Sequence, residues 1–208
     1  MKEMNKRIIM TVFGVLVAGF SVGMFNFSDF GMDPFQVFAH GVWGKFEFLI
    51  GYGTFYSILN LIMLIAIFFI DKRKIGLGTI INIFLLGYVV QFSSWLFDTL
   101  IPNPSLIVKV IFLIVGIIIM CFGSSLYFVG DLGVSTYDAV ALILSEKKIA
   151  KFQYLRIGTD IICTAIGFFL GATVGVGTLF TAFFMGPFIA FFNKNISMPF
   201  RYGRNKNS

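Results

Sequence analysis

Charge is scarce in this chain: Asp, Glu, Lys and Arg make up 12% of its 208 residues, against about 25% in an ordinary soluble domain. So few polar side chains cannot coat a water-facing surface. The single histidine, His40, excludes a His-based metal cluster. The two cysteines, Cys121 and Cys163, lie inside apolar runs, where they read as small buried hydrophobes and not as a disulfide or metal pair. The sequence also lacks a Gly-x-Ser-x-Gly elbow, a phosphate-binding loop, a His-Glu-x-x-His helix and a Cys-x-x-Cys pair. The expectation is therefore a protein that is not an enzyme and needs no cofactor. A cleavable leader is not expected, because the apolar run after Arg7 is too long for a signal core and has no Ala-x-Ala exit.

Apolar side chains are plentiful. Hydrophobic residues reach 58%, 28 of them Phe, and mean hydropathy is +0.91. Counted in spans of about 20 residues, the chain offers six, at 8–27, 52–70, 75–96, 108–129, 153–171 and 177–192. Backbone groups in lipid must be satisfied within the segment, so these are helices, and the expected fold is an all-α transmembrane bundle. Two more stretches, 33–49 and 134–148, are short and semi-polar and are expected to be re-entrant or interfacial helices that do not cross. On that count, fourteen of the sixteen Lys and Arg residues fall on one side, among them Lys72, Arg73, Lys74, Lys147, Lys148 and Lys151. Only Lys45 and Lys109 fall on the other. The positive-inside rule then puts both termini in the cytoplasm of a bacterial cell, with the chain in its cytoplasmic membrane. The net charge of +6 is explained by loops facing anionic lipid, and nucleic acid is not an expected partner.

The sequence also repeats itself. Asp29-Phe30-Gly31-Met32 returns 102 residues later as Asp131-Leu132-Gly133-Val134, and Gly76-Leu77-Gly78-Thr79 returns 99 residues later as Gly175-Val176-Gly177-Thr178. Two repeats follow, 1–103 and 104–208, each holding a span, a short polar stretch and two more spans. Three crossings is an odd number, so the second repeat is expected upside down relative to the first, the 3+3 arrangement found in secondary transporters.

The motifs carry a resemblance. Gly31-Met32-Asp33-Pro34-Phe35-Gln36 and Gly133-Val134-Ser135-Thr136-Tyr137-Asp138 follow the first span of each repeat. Gly-[Leu/Val]-Gly-Thr opens each last span, Gly186-Pro187 comes later, and Arg156-x-x-x-Asp160 lies in the fifth span. In these features the chain resembles the YczE branch of the bacterial YczE/YyaS/YitT-like membrane proteins, which typically show Gly-x-Gly-Pro-Trp-Asp and Gly-x-Gly-Pro-x-Asp at the first pair of sites. The resemblance implies an integral membrane protein and leaves the biochemical role open. Gln36 stands where the family usually has Asp, Asp33 is displaced, and Thr136 replaces Pro, so any mechanism needing a carboxylate at both sites is weakened.

Read on physical grounds, Pro34 suits the first turn of a new helix with Asp33 as its N-cap, and Ser135 holds the matching place in the second repeat. Such helix starts could receive an anionic solute group if they dip into the protein, or they could be ordinary caps of interfacial helices. The Gly-x-Gly-Thr motifs read as tight interhelical turns with Thr as N-cap, or as close backbone approach to a ligand. Gly19/Gly23 and Gly167/Gly171 have spacing suited to helix contacts. Asp160 is spaced to pair with Arg156 one turn away, and ionisable residues inside a span are functional candidates. The expected function is a small-solute permease. Its substrate-binding candidates are Asp33, Gln36, Asn82, Ser135, Thr136, Asp138, Arg156 and Asp160, with Asn60 as a further polar group. The other class is a non-transporting accessory subunit that binds a membrane partner or another copy of itself through its glycine seams.

Overall fold

The computed structural model describes residues 3–71 and 75–203, which are helical with no strand among them. Lys72, Arg73 and Lys74, which helped to set the expected orientation, lie outside the described residues, as do Lys2, Arg204 and Lys206. Four helices are each long and apolar enough to cross a membrane: α1 (Glu3–Ser28), α3 (Tyr52–Asp71), α4 (Leu77–Leu100) and α5 (Leu106–Gly130). A fifth such stretch, Val176–Tyr202, joins α8 (Val176–Phe192) to a π-helical turn (Asn193–Ser197) and α9 (Met198–Tyr202). Between them lie α7 (Phe152–Phe169), which carries Arg156 and Asp160, and two short helices, α2 (Pro34–Trp43) and α6 (Thr136–Glu146). The semi-polar stretches are thus helices of 10 and 11 residues, too short to cross.

The centre of the bundle is a close crossing of α1 and α5. A Cβ added to Gly14 would stand 2.7 Å from the Gly123 carbonyl, and one added to Gly123 would stand 2.9 Å from the Gly14 carbonyl. Farther along, Gly116 faces Phe25 and Gly130 faces Thr11 and Arg7. Rising numbers in α1 meet falling numbers in α5, so the two helices are antiparallel. Small residues matter here because lipid offers no hydrophobic drive between helices, and close van der Waals packing has to supply the association. Gly19 and Gly23 seat α1 on Val89 and Ser93 of α4, as their spacing suggested, and Gly167 packs on the Val37 backbone. A Cβ added to Gly171 would meet nothing within 4 Å, so its half of the second spacing serves no close helix contact.

Beyond α1 and α5 the chain turns the same way twice. Asp29 and Asp131 adopt left-handed φ values of 60° and 52°, which Asp accepts more readily than most residues. Two residues later Gly31 and Gly133 take φ of 94° and 114°, which glycine alone adopts without strain. Each loop then docks on a helix start from the other half of the chain. Gly177 N donates to the Phe30 carbonyl at 2.8 Å, and Gly78 N donates to the Leu132 carbonyl at 2.6 Å. A Cβ on Gly31 would lie 2.5 Å from Gly175 N, and one on Gly76 would lie 2.2 Å from Leu132 O.

This corrects the reading of the Gly-x-Gly-Thr motifs as turns between touching helices, because the contact they serve is helix start to loop backbone. Thr79 and Thr178 are not the N-caps either. Gly76 and Gly175 hold that position, and each threonine accepts its glycine's N–H from the third helical residue, at 3.2 and 3.4 Å.

From these loops the short helices run back toward the end of the bundle where they entered. Gly31 lies beside the start of α8, and Gly41, near the end of α2, lies against Gly167 near the end of α7. Gly133 lies beside the start of α4, while Ala139 and Ile143 of α6 pack with Ile67 near the end of α3. Both short helices therefore start inside the molecule, against the other half of the chain.

Candidate functional site

The starts of α2 and α6 meet. Phe35 and Tyr137, the second helical residue of each, stack with ring centroids 4.8 Å apart. Beside them is a cavity of about 530 Å³ lined from both halves of the chain. Seven of the eight site candidates line it: Asp33, Gln36, Asn82, Ser135, Asp138, Arg156 and Asp160. The eighth, Thr136, does not. Its hydroxyl donates to Asn60 Oδ1 at 2.5 Å, so it fastens α6 to α3. Asn60 itself lines the cavity and anchors its amide on the Tyr56 carbonyl at 2.8 Å.

The helix starts are closed by their own side chains. Asp33 accepts from Gln36 N at 3.4 Å, and Ser135 accepts from Asp138 N at 3.1 Å. Both N-caps fall where the sequence placed them. Each cap takes up one backbone donor of its helix start, as an ordinary N-cap does.

A charged group sits on the α6–α7 side. Arg156 bonds Asp138 through one guanidinium nitrogen and reaches Asp160 through Nε at 3.3 Å, the i,i+4 pair expected from spacing. Tyr137 donates to Asp160 Oδ1 at 2.6 Å, and its ring lies under the guanidinium at 4.3 Å. Asp160 is 5% exposed and Asp138 and Arg156 are part-buried, so the cluster is packed and not solvated. Burying such charges is tolerable only because each carboxylate has the cation and a further hydroxyl donor, Ser135 for Asp138 at 2.7 Å and Tyr137 for Asp160.

On the α2–α3 side the carboxylate lining the cavity is the cap, Asp33, and Gln36 stands where the other half has Asp138. Gln36, 2% exposed, accepts from the Tyr52 hydroxyl. His40 stacks on Tyr52 at 4.1 Å and bonds the Gln36 carbonyl at 3.1 Å and Asn26 at 3.2 Å. His40 is thus tied into the α1–α2–α3 contact and does not line the cavity.

Sequence reasoning missed the aromatic members, Phe35, Tyr56, Tyr127 and Tyr137, all of which line the cavity. A signal was present for three of them. Phe35 and Tyr137 sit inside the repeated motifs, and Tyr52, Tyr56 and Asn60 recur at the spacing of Phe152, Arg156 and Asp160.

Residues 5–194 match the model of a family of unknown function (DUF6198). The chain belongs to that family. It is 28% identical over 187 residues to an "Uncharacterized protein" of Haemophilus influenzae, covering 90% of this chain and 83% of the relative. It is 22% identical over 179 residues to the "Uncharacterized membrane protein YczE" of Bacillus subtilis, covering 86% and 81%. The family is therefore the YczE-like one its motifs resemble, and the protein is an integral membrane protein. No solved structure matches the chain.

Proposed function

We propose that the protein is a small-solute permease of the cytoplasmic membrane, built as a 3+3 inverted repeat of six crossings with its site between the repeats. The observation that carries the reading is the shared cavity: it lies where two re-entrant helix starts, one from each repeat, meet. Paired broken helices at an interface between repeats are the usual site architecture of secondary transporters. Backbone at that depth is tolerated only beside protein or a water-filled cavity.

Three features support the inverted arrangement. α1 and α5 run antiparallel, each loop docks on the other half's last helix, and each short helix packs against the third helix of the other half. With α7 as the sixth crossing, both chain ends fall on one face, in keeping with Arg201 Nε bonding Glu3 at 2.9 Å. Positive-inside counting makes that face cytoplasmic. Alternating access then amounts to one repeat rocking against the other about the α1–α5 crossing.

Single cysteines at Gln36 and Asp138 test the cavity. In folded protein in membranes they are expected to react with small polar thiol reagents, and failure of both to react would rule out a solute path. Uptake of small metabolites by liposomes holding the chain alone tests transport. Flux that appears only with a co-purified partner would move the protein to the accessory class.

A further inference from the structure

We propose that the central cavity recognises a small organic cation, an amine or quaternary ammonium centre carrying an apolar or aromatic body. The transport half of this statement rests on the permease reading; the binding half does not.

The charges lining the cavity are unequal. Three carboxylates, Asp33, Asp138 and Asp160, face one guanidinium, Arg156. Arg156 is already shared between Asp138 and Asp160. Asp33 has no ion pair among the described residues; backbone N–H groups in the first turn of α2, Gln36 N at 3.4 Å among them, and the field of the already shared Arg156 are what offset its charge. The positive ends of α2 and α6 do not restore the balance, because Asp33 on one and Ser135 with Asp138 on the other already cover them. An anion entering here would meet carboxylates. A neutral solute would leave Asp33 with no cation of its own, only the Arg156 that two other carboxylates already share. A cation resolves both.

The walls define what kind of cation. Phe35, Tyr56, Tyr127 and Tyr137 present aromatic surface to the space, which attracts a cation over the ring face and suits one with an apolar coat. The site already holds one cation this way, with Arg156 at 4.3 Å over Tyr137. Tyr127 adds an independent sign of a missing partner: it is 5% exposed, lines the cavity, and its hydroxyl has no hydrogen bond. Buried hydroxyls are seldom left so, since each costs about 1–3 kcal/mol unless a ligand or water completes it. At about 530 Å³ the space suits a small organic molecule.

The test is calorimetric titration of the purified full chain with three probes of similar size: benzyltrimethylammonium, benzyl alcohol and benzoate. The ammonium is expected to bind saturably and the other two far more weakly. Asp33→Asn keeps the N-cap, because Asn caps as well as Asp, and removes only the charge. It should retain the wild-type melting temperature and lose about 30-fold or more in ammonium affinity. Tyr127→Phe is read with benzylammonium, whose N–H groups can donate to the hydroxyl, and should lose less, about fivefold. No ammonium binding, a preference for benzoate, or unchanged affinity in folded Asp33→Asn overturns the proposal. Liposome uptake of the same ammonium is read separately. Asp33-dependent binding without uptake keeps the ligand class and removes the permease. Uptake of neutral or anionic solutes without ammonium binding does the reverse.

Discussion

At the start of α2, Gln36 accepts a hydrogen bond from Tyr52, while at the start of α6 Asp138, its repeat equivalent, is bonded by Arg156. The backbone is the same in both places: a long helix ended by a left-handed Asp, a glycine at φ near or above 90°, a capped short helix and a loop docked on the opposite half. The chemistry differs along the neighbouring long helix too. Tyr56 and Asn60 in α3 stand where α7 has Arg156 and Asp160. One half thus holds an ion cluster at these positions, and the other has neither carboxylate nor cation at them, its carboxylate standing at the cap as Asp33. The lesson is that Gln36, an oddity when read alone, is the neutral half of a matched change. An Asp at 36 would have Tyr56, not an arginine, at the matching place in its neighbouring long helix.

The comparison can be broken at the backbone or at the side chains. The largest effect is expected from Gly31→Ala and Gly133→Ala, since each puts a Cβ at positive φ within 2.5–2.8 Å of a backbone nitrogen across the docked loop. Strain and overpacking together should cost about 3–5 kcal/mol in each case. Equal losses in unfolding measurements would sharpen the equivalence of the two turns, and loss at one alone would break it. Next, Arg156→Gln leaves Asp138 and Asp160 without their cation. About 3 kcal/mol is expected, at the low end for a broken buried pair because the arginine side chain keeps 30% exposure.

Gln36→Asp, by contrast, installs a second carboxylate near Asp33, in the half that supplies no cation to the cavity lining. It should lower stability by about 2 kcal/mol, softened by the Tyr52 hydroxyl that still donates to it. A neutral outcome for Gln36→Asp would show that the matched change has no energetic basis. The smallest effect belongs to Asn60→Leu, which removes the acceptor of Thr136 and should cost about 0.6–1 kcal/mol by thermal unfolding.

Much of this was legible in the sequence, for identifiable reasons. Hydropathy runs and basic flanks mark the long helices, because lipid demands both. Pro34 with Asp33, and Ser135 with Asp138, mark the helix starts, because capping is local chemistry. The Arg156–Asp160 pair follows from helical spacing alone. The exchange of loops between halves was not legible. Gly76 and Gly175 serve contacts with residues 132 and 30, and such separations leave no trace in local pattern. The aromatic wall was hidden for another reason: in a chain with 28 Phe and 7 Tyr, four rings at helical positions look like ordinary core. The role of Thr136, fastening α6 to Asn60, also depended on a partner in the other half.

The central claim is that the two halves lie in opposite orientations across the bilayer, and equivalent loops test it most directly. Lys45 after α2 and Lys147 after α6 are both exposed. With Cys121 and Cys163 replaced by alanine, a single cysteine at either position is labelled in intact cells by a membrane-impermeant maleimide. The account predicts that Lys45→Cys reacts from outside and Lys147→Cys reacts only after permeabilisation. Reaction of both from the same side would contradict it.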